Sequence, residues 1–388
     1  MRRKKISFLS LLLIIVISFC GGYFFNSFLN KGALTFQQSR ALNQALKIIN
    51  DNAIEKHDSD YTVDYALKGI AASLDDDYAY YFTSEEIEKF NNSASGIVKG
   101  GIGVQIEQED NKIRIVDVYK GLTADAAGLK VNDIITKIND EDISALTLEE
   151  LNAEVTGEEG TTVKITVLRD GKELSFNVQR SSGQREMTEY RIIEGTKILY
   201  IKIISFRGNA AEYFKKAIEF GQENGYESIL IDVRNNGGGE LSIFASIADM
   251  LLPQGEVFYA MDRHGNKNNI ITSDADFIDK PICVLVNGSS ASASEAFAGA
   301  LRDMVGAKLV GTKTFGKGIM QTSYTLSNGG VFKLTTGKYY LPSGKCIHEE
   351  GIEPEYQVEL PEELADKYWL RNSDNDLQFK KAIELLTN

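Results

Sequence analysis

Two stretches of this chain follow the same order: an apolar run, a turn of small polar residues, then a helical pattern. The first is SILIDVR (228–234), NNGGGE, and LSIFASIADMLL. The second is PICVLVNG (281–288) running into SSASASEAFAGALRDM. A nearly continuous apolar run of this length reads as a strand covered on both faces, as in a parallel sheet. Strand–turn–helix alternation predicts an α/β core with a mixed sheet. Ligands of such sheets sit beyond the carboxyl ends of the strands. The turns at 234–240 and 287–294 occupy that place.

The other segments sort around this core. ILYIKIISF predicts a strand and NAAEYFKKAIEFGQENG a helix ending at Gly225, while DLQFKKAIELLTN closes the chain as a helix. Between Gly100 and Arg180 short runs alternate apolar and polar residues, which is strand chemistry. The Asp-Gly of RDGKE predicts a tight hairpin, and TLEELNAEV reads as a helix within this small β-barrel-like module. Ahead of it lies a helical segment. Leu42, Leu46, Ile49 and Ala53 recur at helical spacing over 36–56. A second helix fits TVDYALKGIAASL with Thr62 as its cap, and a third opens at Thr83 or Ser84. The expected organisation is an N-terminal anchor or signal (1–30), a helical segment (31–96), an inserted module (97–182), the α/β core (183–360) and a C-terminal helix (361–388).

The N-terminus is MRRKK followed by a run with no charged residue between Lys5 and Lys31. About 20 apolar residues of helix span a bilayer, and cations hold their end in the cytoplasm. An uncleaved single-pass anchor is expected, with the remainder outside a bacterial cell membrane. A cleaved signal, which would make the protein secreted, is the rival. Cys20 follows the bulky Phe19, which argues against lipidation. The net charge of −13 disfavours nucleic acid as a partner. The remaining cysteines, Cys283 and Cys346, make no disulfide framework, and a bridge between them has no support.

GTKTFGKG (311–318) contains G-x-x-x-x-G-K, most of a phosphate-binding loop. However, Gly318 stands where the metal-binding hydroxyl belongs. The residues that follow read as strands, with no helix N-terminus for a phosphate. Taken alone, Lys317 would be a solvated loop lysine. The serine-rich turn changes that reading. A serine at the start of a helix exposes its oxygen beside free N–H groups, although most such serines only cap. A nucleophilic serine needs a base. His57, His264 and His348 are scattered, and neither G-x-S-x-G nor HExxH occurs. Lysine remains, since Ser–Lys pairs are a known variant. A lysine starts near pKa 10.4 and must be desolvated to act as a base. The flanks TF and GIM are expected to supply an apolar shell. Gln321 would share a face with Lys317 in an extended segment and orient the amine without adding charge.

SASASE (290–295), TFGKG (314–318) with Gln321, and DVRNNGGG (232–239) together resemble the carboxyl-terminal processing peptidases, or tail-specific proteases. The likeness extends over SLDDDYAYYFTSEE and over KLTTGKYYLPSGKCIHEEGIEP, and GGIGVQI through VQR resembles the family's PDZ domain. It implies a serine endopeptidase with Ser292 as nucleophile, Lys317 as general base and Gln321 positioning the lysine. Backbone N–H groups of Gly238 and Ala293 would form the oxyanion hole, with Ser290 and Ser294 structural. The amides of Ile102, Gly103 and Val104 would bind a substrate's C-terminal carboxylate, with an added strand pairing at the sheet edge. The implied partners are proteins or peptides with apolar C-termini and the membrane; no metal or other cofactor is expected, and a homodimer is left open. Three departures stand out. Gly237 replaces the usual proline, LDDDYAYY lacks another, and no length is left for the wall-binding domain of some members. An anchored PDZ adaptor with an inactive protease domain is the alternative, and a nucleotide hydrolase a more distant one.

Overall fold

The computed structural model describes residues 34–55, 58–109, 112–365, 367 and 375–387. The expected anchor and His57 lie outside the described residues. No helix among the described residues is long and apolar enough to cross a membrane. The chain divides into two units at Ile70/Ala71.

The first unit contains α1 (Phe36–Asn52) and most of α2 (Ser59–Ala72). Thr35 caps α1 through a reciprocal box with Gln38. That helix stops short of the expected residue 56 because Ala53 is already extended (φ −64°, ψ 133°). Thr62 is not the cap of α2. The helix starts earlier, Asp58 accepts the Asp60 N–H at 2.8 Å, and the Thr62 hydroxyl turns back to the Asp58 carbonyl.

In the second unit, β1 (Tyr80–Phe82) leads into α3 (Ser84–Ala94). Thr83 caps α3, exchanging hydrogen bonds with Glu86 at 2.9 and 3.2 Å. A two-stranded ribbon of β2 (Ile97–Gly101) and β9 (Ser181–Gln184) forms the neck of the inserted module. The module runs β3 (Val104–Glu109), β4 (Lys112–Val118), α4 (Thr123–Ala127), β5 (Ile134–Ile138), β6 (Glu141–Asp142), α5 (Leu148–Val155), β7 (Thr162–Arg169) and β8 (Lys172–Gln179). Its sheet order is β3-β4-β5-β7-β8 with β6 on β5, closed over Ile115, Leu151, Val163, Ile165 and Val178. The hairpin read from Asp-Gly is present: Asp170 and Gly171 both have positive φ (50° and 74°), which matches the right-handed twist of the strands.

The core continues with β10 (Thr188–Ile192), β11 (Ile198–Ile203), α6 (Ala210–Glu223), β12 (Ser228–Asp232), α7 (Leu241–Asp249), β13 (Gly255–Asp262), β14 (Lys267–Ser273), β15 (Ile282–Val286), α8 (Ala293–Val305) and β16 (Lys308–Gly311). It ends with β17 (Ile319–Thr325), β18 (Val331–Tyr340), β19 (Tyr356–Gln357), α9 (Glu362–Ala365) and α10 (Leu377–Thr387). One sheet is ordered β10-β11-β12-β15-β16-β19, parallel except for β10. Every residue of β12 and β15 is buried, which explains their continuous apolar sequences. Helices α6, α7 and α8 cover one face, while Phe379 and Ala382 of α10 close the other. A second, antiparallel sheet is ordered β1-β18-β13-β14, with β17 on β18.

Phe206, Phe244, Phe258 and Phe297 are buried together, with ring centroids 5.3–6.5 Å apart and edge-to-face angles. Each such pair contributes about 0.5–1.5 kcal/mol beyond area burial. The cluster ties α7, α8 and the segment after β11 into one rigid support beneath the two polar turns. Cys283 and Cys346 are both free, and Cys283 is buried in β15.

Candidate active site

The turns after β12 and β15 lie side by side, held by side-chain to backbone hydrogen bonds. Ser290 donates to the Val233 carbonyl and Ser294 to the Asn236 carbonyl, each at 2.8 Å. Asn287 and Asn235 bond to each other at 2.7 and 3.0 Å. Both buried serines are thereby committed to structure. Beneath them, Arg234 forks onto Asp232 (2.7–3.2 Å) and reaches Asp376 at 2.7 Å and Gln378 at 2.9 Å. Burial opposes both charges, but their mutual attraction wins: it raises the Arg234 pKa and lowers that of Asp232. The first glycine turn is therefore rooted in a buried ion network that spans to α10.

Ser292 occupies the cap position of α8, in a capping box with Glu295, whose carboxylate accepts the Ser292 N–H. Its backbone is at φ +58°, ψ −117°, an uncommon conformation for a residue with a Cβ. Gly238 (φ +99°) packs against this turn. A Cβ there would stand 2.9 Å from the Ser292 Cβ and 2.9 Å from the Ala293 nitrogen, so only glycine fits. The Ala293 N–H has no acceptor among the described residues. The Gly238 N–H, by contrast, donates to Asn236 Oδ1 at 2.9 Å. Gly237, at the family's proline position, has open space around it.

The lysine loop is held to the serine turn by one residue. Glu295, fully buried in α8, accepts the Ser292 N–H at 2.9 Å, the Thr314 hydroxyl at 2.6 Å, and the N–H groups of Gly316 and Lys317 at 2.8 and 2.9 Å. Ser292-x-x-Glu295 has the spacing of a capping box. That spacing was the one sequence sign of this residue; its contacts to the lysine loop left none.

Lys317 is half-buried, and its amine lies 4.3 Å from the Tyr78 ring centroid. Burial and the neighbouring cation of Lys333 hold its pKa below the ordinary lysine value, against the opposing pull of Asp76 and Glu295. The expected apolar shell is corrected in part. Ile319 is buried, but Phe315 is 57% exposed, and Tyr78 covers the amine instead. Ser292, Lys317 and Gln321 all line one groove of about 590 Å³. The expectation that Gln321 contacts Lys317 is not met here. Lys317 precedes β17, a bulge falls between Met320 and Gln321, and the buried Gln321 amide nitrogen has no partner among the described residues. His264 is exposed, and His348 packs its backbone against Gly318.

In the inserted module, Ile102, Gly103 and Val104 stand at the start of β3, an edge strand. The Ile102 carbonyl accepts from the Ala124 N–H and the Thr123 hydroxyl, and the Gly103 carbonyl from the Tyr119 N–H. These bonds pin the loop, and β4 is the only strand paired with β3 among the described residues.

Residues 197–358 match the profile described as Peptidase family S41, and residues 100–179 that of a PDZ domain. A "Probable CtpA-like serine protease" of Staphylococcus aureus (strain bovine RF122 / ET3-1) is 32% identical over 356 residues, covering 91% of this chain and 71% of the relative. The protein of the same name from strain COL is 33% identical over 323 residues, 82% of this chain and 64% of its own length. The chain thus spans about two thirds of the length of these relatives. Among solved structures, a photosystem II D1 C-terminal processing protease superposes with a TM-score of 0.50 at 24% identity, covering 81% of this chain and 90% of the other.

Proposed function

The chain belongs to peptidase family S41, and from that premise we propose that it is a serine endopeptidase cutting protein substrates through a Ser292–Lys317 dyad. One observation carries this reading: the buried Glu295 carboxylate binds the backbone of Ser292 and of Lys317 at once. A serine in a left-handed backbone conformation and a lysine with a depressed pKa therefore face one groove.

In this mechanism Lys317 leaves the Tyr78 ring and takes the Ser292 proton as the oxygen attacks the peptide carbonyl. The protonated amine then gives that proton to the leaving nitrogen. The Ala293 N–H receives the developing oxyanion, and the Gly238 N–H joins it once Asn236 releases it. Gln321 orients the amine by accepting one of its N–H groups at the amide oxygen, which leaves the lone pair for Ser292. Water completes the second half-reaction. The PDZ domain captures an apolar C-terminal tail by strand addition at β3, with its carboxylate at the Ile102–Val104 loop. The N-terminal run holds the chain at the membrane, and detergent-dependent release from cell membranes tests that placement.

The decisive experiment follows cleavage of a peptide with an apolar C-terminus. Ser292→Ala and Lys317→Ala should each lose at least about 10³-fold in kcat/KM while keeping the fold. Undiminished cleavage by Lys317→Ala would remove the lysine from the mechanism. A chain that binds such tails but cuts none would be the adaptor.

A further inference from the structure

Arg207 and Lys333 both line the groove that holds Ser292, and both sit against the ring of Phe90, at 5.4 and 5.7 Å from its centroid. They come from different elements, the segment after β11 and strand β18. Arg207 follows Phe206, whose backbone bonds to Gly238 and Glu240 of the glycine turn. Lys333 lies on β18 opposite Ser323 of β17, two residues beyond Gln321. Both are partly buried, and neither side chain makes an ion pair or hydrogen bond among the described residues. Glu240 lines the same groove but is exposed and pairs with neither. Burial and Arg207 together depress the Lys333 pKa, and no carboxylate offsets them.

Two partly desolvated cations held together without a counter-ion are costly in a chain of net charge −13. Acids are abundant, yet none pairs with either cation among the described residues. An arginine fork and a lysine beside the same ring in one groove offer a receptor for an anion. We propose that Arg207 and Lys333 form a carboxylate-binding subsite inside the catalytic groove, separate from the PDZ domain, that holds a carboxylate of the polypeptide being cut. This rests on the peptidase reading for the identity of the ligand. The carboxylate is either an Asp or Glu side chain near the scissile bond or the α-carboxylate of the tail itself. The Phe90 ring, near both cations, offers an apolar surface for the adjoining stem.

The test is made by binding, in the full chain carrying Ser292→Ala, so that it does not depend on turnover. Two labelled peptide pairs are titrated by fluorescence anisotropy: one differs by Glu or Gln at an internal position with an amidated end, the other by a free or amidated C-terminus. Each Kd ratio is compared with that of the same chain also carrying Arg207→Gln and Lys333→Met. A ratio that falls about tenfold in the charge-neutral protein supports the subsite, and the pair that shows it identifies the source. Comparing ratios cancels any contribution of the PDZ domain. Should the double substitution impair folding, Lys333→Gln alone gives the same comparison. Equal ratios for both pairs in both proteins would overturn the subsite and leave the peptidase reading untouched. Conversely, failure of the Ser292-intact chain to cut any of these peptides would sink the peptidase reading while the binding ratios still decide the subsite.

Discussion

One oxygen of Glu295 accepts the backbone N–H of Lys317 at 2.9 Å and also that of Ser292, at the same distance. Serine turn and lysine loop, separated in sequence by the whole of α8 and β16, thus share a single acceptor. Glu295→Gln keeps the shape but replaces one oxygen with a donor that faces N–H groups. We expect kcat to fall about 10²-fold with a modest rise in KM. Glu295→Ala should also destabilise the fold by about 3 kcal/mol or more, since several buried donors lose their partner. Steady-state kinetics and urea unfolding of the two variants check this; full activity in Glu295→Gln would make the residue dispensable for positioning.

The depressed lysines carry a pH signature. Only neutral Lys317 can accept a proton, so kcat/KM should rise with pH to a plateau, with an apparent pKa below that of an ordinary lysine. Lys333→Met removes the neighbouring cation and should move that limb upward. The sign for stability follows from linkage. Between the lowered folded pKa and the ordinary value the unfolded chain binds more protons, so each lysine makes stability rise with pH in that window and costs stability below it. Thermal unfolding of wild type and Lys333→Met across alkaline pH should therefore show a steeper rise for wild type. A parallel pair of curves would contradict the burial argument.

The two neighbouring glycines should respond oppositely. Gly238→Ala forces a Cβ to within 2.9 Å of the Ser292 Cβ and of backbone atoms at positive φ, and should cost at least about 10²-fold in activity. Gly237→Ala meets open space and should be neutral or stabilising by about 0.4–1 kcal/mol, through the unfolded chain's lost freedom. Melting temperatures and kcat/KM for the pair settle the contrast. Equal damage from both would mean that the turn has a different backbone.

Arg234 is bonded on two sides, to Asp232 at the end of β12 and to Asp376 before α10. Breaking a buried ion network by removing one partner costs about 3–5 kcal/mol. Arg234→Met should lower the urea midpoint accordingly and reduce activity even where the protein is fully folded, because the Gly238 turn loses its root. Normal kinetics in the folded variant would confine Arg234 to stability.

The α/β alternation, the Asp-Gly hairpin and the Thr83 cap were legible because each depends on periodicity or on a few adjacent residues. The helix starting near Thr62 was misplaced for the same reason: Asp58 competes for the cap, and local preference alone does not choose between them. Ser292, Lys317 and Gln321 stood out in the sequence because a nucleophile, a base and an uncharged polar partner are restricted residue types, and all three line one groove. Glu295 was hidden in plain view as the last letter of SASASE.

By itself, the sequence determined the strands, the turns and which side chains have chemistry to offer, since these follow from local conformation and residue type. Tertiary structure alone decided the rest. It buried one carboxylate between two loops, rested the Lys317 amine on Tyr78, occupied the Gly238 N–H with Asn236, and brought Arg207 and Lys333 to the same ring in one groove. These are relations between residues far apart in the chain. Desolvation, charge pairing and hydrogen-bond competition act through space, and no local pattern encodes them.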